Sequence, residues 1–203
     1  MSVRQRVPFR FSENGDENAR ILDEQEQEEL LEQLKRKSDE NNSQYSFFIR
    51  IVIALSSTLH ILYLLKSPES KKPPIAVLFP NYTPPDGFRP ITGHLFFTTL
   101  NLFIHANLSV HLAHPTHHVR EWLARGDYHQ YTSFLPLPFS VLFALSAPAP
   151  LMSFIVSNGW HDVVWWGETA AMVWFVSSAH RWMGEETESL RNLERLRYDA
   201  RGA

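Results

Sequence analysis

Imidazole, amide and carboxylate side chains occur inside stretches of this sequence that are otherwise apolar. Such groups carry protons, bind metal ions or hold polar substrates when a fold places them together. The set comprises His60, His94, Asn101, His105, His161 and Glu168. An ionisable side chain costs about 2.5–3.5 kcal/mol at the centre of a bilayer, so it normally faces the interior of a helix bundle. These residues are therefore the candidate site.

Helical spacing indicates which of these side chains share a face. His94, Asn101 and His105 fall on one side of a predicted helix. His161 and Glu168 fall on one side of a later helix. We predict that four residues converge in one half of the bundle: His60, His94, His161 and Glu168. Two interpretations stay open: hydrogen bonds between helices, each worth about 0.6 kcal/mol on average, or a proton-relay, metal or substrate site.

A second histidine group follows the second apolar stretch. The spacing of His114, His117 and His118 matches the HxxHH box of membrane di-iron hydroxylases and desaturases, in which imidazoles surround iron. Those enzymes need several boxes, whereas this sequence has one, and Pro115 interrupts the helix within it. We therefore predict neither a metal site nor a cofactor here, and we expect interfacial histidines that titrate near neutral pH.

Other function classes lack support in the sequence. There is no cysteine, which excludes disulfides, thiol catalysis and zinc–thiolate sites. P-loop, GxGxxG, GxSxG and HExxH motifs are absent. The net charge of −3 comes with no strongly basic face, which argues against nucleic acid as a partner. An enzyme is thus the less favoured expectation.

Four apolar stretches would position the candidate residues. The first, at 46–65, contains about 20 residues, and a helix of that length rises roughly 30 Å, the thickness of the hydrocarbon layer. The others cover about 91–113, 133–157 and 160–183. We predict an all-α polytopic membrane protein with about four transmembrane helices in a membrane domain at 46–183. A loop at 66–90 contains seven prolines and should be stiff.

The third stretch has two interpretations. Pro148 and Pro150 fall inside it, where proline interrupts the helical hydrogen bonds. It is either one kinked span or a re-entrant hairpin, which a bilayer tolerates only where neighbouring protein covers the backbone.

Polar, charged tails flank the membrane domain at 1–45 and 184–203. The leucine spacing at 17–41 predicts a solvated helix, or a short coiled coil that binds a partner. We expect a protein partner to bind through 17–41 and 184–203, so that the protein is a subunit, adaptor or assembly factor. The alternative is an enzyme or transporter that uses the intramembrane His/Glu cluster.

Flanking charge predicts the orientation. Nine lysines and arginines lie near the spans on the side of the tails, against four on the other side, which favours cytosolic tails. Asn81 would then be a lumenal N-glycosylation acceptor, since it begins an Asn-Tyr-Thr sequence. We expect the endoplasmic reticulum or another endomembrane. A mitochondrial membrane is the alternative, because arginines precede the first acidic residue.

Overall fold

The computed structural model describes residues 24–66, 73–79, 81–83, 89, 91–113, 118, 135–156 and 159–201. Of these residues 88% are helical and none lies in a β-strand, which confirms the all-helical class for the described chain. The helices are α1 (Glu24–Lys66), α2 (His94–Leu112), α3 (Phe139–Ser146), α4 (Pro148–Val156) and α5 (Trp160–Arg201). A 3₁₀-helix, Pro74–Val77, lies within the proline-rich loop.

The chain divides into two compact units. The bundle unit comprises residues 46–179, and the tail unit comprises residues 1–45 together with 180–203. By their residue ranges, α1 and α5 contribute to both units. The candidate residues all belong to the bundle unit.

In the bundle unit α1 and α2 run antiparallel. The Arg50 guanidinium donates a hydrogen bond to the carbonyl of Leu112, the last residue of α2. At the other end the ring of Tyr63 lies edge-on to His94, the first residue of α2, with ring centroids 6.1 Å apart. Arg50 thereby satisfies one of the carbonyls that a helix C-terminus leaves without a donor.

The chain enters α3 beside the end of α2. His111 Nε2–H donates to the Leu137 carbonyl at 2.8 Å, and the Leu137 amide donates to the Asn107 side chain at 3.2 Å. The His111 ring also stacks on Phe139, the first residue of α3, at a centroid distance of 4.4 Å. These contacts make α3 the antiparallel neighbour of α2.

The α3–α4 segment is an interrupted helix that keeps its direction. Pro148 and Pro150 have no amide hydrogen, so they remove two intrahelical donors. Ala147 between the helices nevertheless keeps right-handed helical angles, with φ −74° and ψ −35°. Its amide donates to Phe143 at 3.2 Å, and its carbonyl accepts from Leu151 at 3.3 Å. Since the backbone does not reverse at Ala147, the geometry matches the kinked span and not the hairpin.

Two apolar clusters fill the bundle core. The aliphatic cluster joins α1, α2, α3 and α5 through Ile49, Ile53, Ile104, Leu108, Leu112, Leu142, Met172, Val173 and Val176. The aromatic cluster contains Tyr63, Ile91, Ala149, Trp165 and Trp166. Along α1 the two clusters are separated by Ser56 and His60, so a polar layer lies between them.

The outward surface of the bundle unit is apolar. Large hydrophobic side chains are exposed on every helix of the unit: Phe47, Phe48, Leu55, Phe96, Phe103, Leu151, Phe154, Ile155, Trp160, Val164, Trp174 and Phe175. By length and composition, three helices could cross a membrane: Gln25–Lys66, His94–Leu112 and Phe139–Val156. This is fewer than the four predicted, because α5 carries Asp162 and Glu168 among several tryptophans, which lower its mean hydropathy.

Replacing Leu108 by alanine should destabilise the bundle, since this side chain is fully buried in the aliphatic cluster. A buried Leu→Ala change costs about 2–5 kcal/mol. Leu95→Ala removes the same atoms from the same helix at an exposed position and is the matched control. Thermal unfolding in detergent measures both variants. Equal losses of stability would contradict the assignment of the two faces of α2.

Candidate functional site: a buried histidine layer

On each of two helices a polar residue precedes a histidine by four positions. On α1 Ser56 precedes His60 by four residues, and on α2 Asn101 precedes His105 by four. Residues four apart lie one turn apart on one helix face, so each pair forms a short polar strip. All four side chains are buried, and the two imidazoles are only 2% and 1% exposed. We call these four residues the histidine layer.

Backbone carbonyls fix the tautomers of both rings. His60 Nδ1 lies 3.0 Å from the Ser56 carbonyl, and His105 Nδ1 lies 2.7 Å from the Asn101 carbonyl. Because a carbonyl oxygen can only accept, Nδ1–H is the donor in each ring. In a neutral imidazole the other nitrogen, Nε2, is then an acceptor.

Each Nε2 acceptor receives a hydrogen bond from a side chain of the other helix. The Asn101 amide Nδ2–H donates to His60 Nε2 at 3.1 Å, and the Ser56 hydroxyl donates to His105 Nε2 at 2.8 Å. Ser56 of α1 thus bonds His105 of α2, and Asn101 of α2 bonds His60 of α1. Antiparallel helices allow this reciprocal arrangement. The two rings lie 5.4 Å apart. Each ring is therefore anchored to its own helix through Nδ1 and joins α1 to α2 through Nε2.

Glu168 approaches this layer from α5. Its Oε1 lies 3.9 Å from His105 Nε2, a contact that becomes an ion pair only if the imidazole is protonated. Oε2 is buried without a hydrogen-bond partner among the described residues, although the whole side chain is 36% exposed. Trp165, one turn earlier, packs against His60 at 5.7 Å between ring centroids.

The other candidate residues have different neighbours. His94 is half-buried beside Tyr63. His161 lies within 3.2 Å of the Tyr82 hydroxyl and stacks on Trp160 at 3.8 Å. The structure thus brings together four of the predicted residues: His60, Asn101, His105 and Glu168.

Two of the remaining predicted positions are described and two are not. Asn81 is exposed at a turn, and His118 is exposed. His114 and His117 fall outside the described residues. Within the described part of the chain, no three His, Cys, Asp or Glu side chains have the geometry to hold a metal ion.

Ser56 is the member of the layer that the sequence interpretation missed. A serine in an apolar helix normally serves close packing, so nothing about Ser56 alone marks it. The signal lay in the repeated spacing, because Ser56 with His60 and Asn101 with His105 are matched strips that can pair once the helices are antiparallel.

The pair of Ser56 and His105 has the hydrogen bond of an activated nucleophile but not its surroundings. A serine within 2.8 Å of an imidazole whose other nitrogen is held by an acceptor fits the base role. Acyl transfer also requires donors for a developing oxyanion and access for a substrate. Mid-helix amides are occupied by the helix itself, the Asn101 amide donates to His60, and Ser56 is 6% exposed. The arrangement is suited to holding helices together.

No protein-family model, curated protein or solved structure matches this chain.

Removing the Ser56 hydroxyl should destabilise the bundle by about 1–3 kcal/mol, because His105 Nε2 loses its donor in a buried site. Ser57→Ala is the matched control, since the Ser57 hydroxyl bonds only the Ile53 carbonyl of its own helix. Loss of such a bond within one helix should lower the free energy of unfolding by less than about 0.5 kcal/mol. Chemical or thermal unfolding of the two alanine variants tests this difference. Indistinguishable stabilities would refute the interhelical role of Ser56.

Proposed function

We propose that this chain is an integral membrane adaptor or assembly subunit whose charged tail unit binds a protein partner. In this proposal four segments cross the bilayer: the apolar part of α1, α2, α3–α4, and the first part of α5. The polar layer inside the bundle maintains the packing of these helices, and the tails perform the function.

The distribution of side chains in the bundle unit supports a lipid environment. Its buried groups include His60, Thr98, Asn101 and His105, whereas large apolar side chains such as those of Phe154 and Trp174 are exposed. Water would favour the reverse arrangement, and monomeric soluble proteins rarely expose such large apolar surfaces. For the fourth crossing, the support is the exposure of Trp160, Val164, Trp174 and Phe175 on α5.

One observation carries the adaptor proposal: the side chains of the histidine layer in the bundle are hydrogen-bonded to one another, while charged side chains of the tail unit are exposed. The described part of each tail is helical, and Lys35 of α1 lies 3.6 Å from Glu194 of α5. Five of the leucines in these parts are partly buried, at positions 30, 31, 34, 190 and 193, whereas Leu196 is exposed. Arg36 and Lys37 are exposed and make no ion pair with a described residue. Displayed charges of both signs suit recognition of a protein surface.

The same unit supports the predicted topology. That both tails belong to one compact unit is consistent with an even number of crossings, which would put the two tails on the same side of the membrane. The charge bias then favours the cytosol for the tails, in the endoplasmic reticulum or another endomembrane. A mitochondrial membrane is the alternative location.

A second candidate function is a membrane-embedded enzyme or transporter that uses the His/Glu cluster. The observation in its favour is Glu168, whose buried Oε2 has no partner among the described residues. An unsatisfied carboxylate oxygen in a bundle interior is costly, and such groups often mark ion or proton pathways.

Charge reversal at Arg36 and Lys37, each to glutamate, should abolish recovery of a partner that co-purifies with the tagged full chain. Opposite charge at these exposed positions replaces attraction by repulsion. Arg36→Lys with Lys37→Arg keeps the charge at the same sites and should retain the partner. Glu168→Gln should also retain it at normal abundance. Loss of the partner or of cellular function in Glu168→Gln, with the reversal variant unaffected, would favour the enzyme or transporter instead.

Asn81 should carry an N-linked glycan if the tails are cytosolic, since its acceptor sequence is then lumenal and its side chain is exposed. The expected result is a band on a gel that shifts after endoglycosidase treatment. Asn81→Gln should remove the shift, whereas Asn41→Gln, in the acceptor pattern of α1, should not. A glycan at Asn41 would invert the topology.

A further inference from the structure

An open cavity of about 940 Å³ lies along one face of α5 in the tail unit. Its described lining includes His180, Gly184, Thr187, Glu188, Arg191 and Arg195. These positions recur at three- and four-residue intervals, so they form a single stripe of the helix. The volume lies within the range of about 300–1,000 Å³ that is typical of small-molecule sites.

Two guanidinium groups in this stripe lack counter-charges. Arg191 and Arg195 lie one turn apart, are exposed, and form no ion pair with any described residue. Arg181, outside the cavity, differs because it lies 3.8 Å from Glu185. Like charges at this spacing repel each other in an isolated helix. A bound anion would remove that repulsion, and the planar fork of arginine matches the oxygens of phosphate.

Two further lining residues indicate what the rest of the ligand would be. A side chain built at Gly184 would meet nothing within 4 Å, so the glycine leaves the floor of the cavity open. The carboxylate of Glu188 accepts hydrogen bonds and would repel a second phosphate, but it suits hydroxyl groups. The lining therefore combines phosphate recognition with hydroxyl recognition.

We propose that this cavity binds a phosphorylated polyol. Arg191 and Arg195 hold the phosphate, and Glu188 accepts hydrogen bonds from hydroxyls of the same ligand. Two sources supply this chemistry: a soluble sugar or inositol phosphate, and the headgroup of an inositol lipid. The cavity residues differ from Arg36 and Lys37, which carry the partner test, so the two proposals can fail separately.

The test titrates the full chain, purified in a zwitterionic detergent, by isothermal calorimetry. One arm uses soluble inositol 1-phosphate, and the other uses short-chain phosphatidylinositol, so that each probe carries one phosphate and free hydroxyls. The variants are Arg191→Gln with Arg195→Gln, to remove the charge, and Gly184→Leu, to fill the cavity. Arg181→Gln removes one arginine from the same helix outside the cavity and is the control. Since leucine favours a helix more than glycine does, Gly184→Leu should unfold no earlier than the native chain.

We expect either probe to bind the native chain. Both cavity variants should weaken this binding at least about tenfold, and Arg181→Gln should leave it unchanged. Binding of the soluble probe identifies a free phosphate as sufficient, whereas binding of the lipid alone identifies the headgroup source. The proposal is overturned if neither probe binds, if Gly184→Leu binds as the native chain does, or if Arg181→Gln loses as much affinity as the double variant.

Discussion

The carbonyl groups of Ser56 and Asn101 impose the constraint on which the bundle depends. Each accepts the Nδ1–H of the histidine one turn later in its own helix, which leaves Nε2 of a neutral ring in need of a donor. Both rings are buried away from solvent, so that donor must come from the protein. Asn101 and Ser56 supply it from the opposite helix. A single register of α1 against α2 supplies a donor to Nε2 of both rings at once.

The same register positions the two apolar clusters on either side of the histidine layer. With Ser56 opposite His105, Ile53 can meet Leu108 in the aliphatic cluster, and Tyr63 can meet His94 towards the aromatic cluster. The first part of α5 then places Trp165 on His60 and Glu168 beside His105. Apolar packing alone would tolerate sliding of the helices, because dispersion contacts are numerous and individually weak. Directional hydrogen bonds tolerate far less sliding, which is why a few polar side chains can specify how the helices of the bundle pack.

The sequence allowed much of this to be predicted, and the limits have physical causes. Apolar length predicted the helices, and helical spacing predicted that Asn101 and His105 share a face. Ser56 could not be singled out, since its role depends on which residue of another helix lies at its depth. The interruption at Pro148 was predictable from proline chemistry, whereas its continuation in one direction depended on the backbone angles of Ala147. The predicted fourth span illustrates the converse, since the Glu168 carboxylate that contacts His105 also lowers the mean hydropathy of α5.

A double-mutant cycle between Asn101 and His60 tests the central claim most directly. Asn101→Ala, His60→Ala and the double variant would be compared with the native chain by reversible unfolding in bicelles. The account predicts a favourable coupling of about 0.6–1.7 kcal/mol, the range measured for hydrogen bonds between membrane helices. A coupling indistinguishable from zero would show that the two side chains act independently, and the reciprocal histidine layer would then not hold α1 to α2.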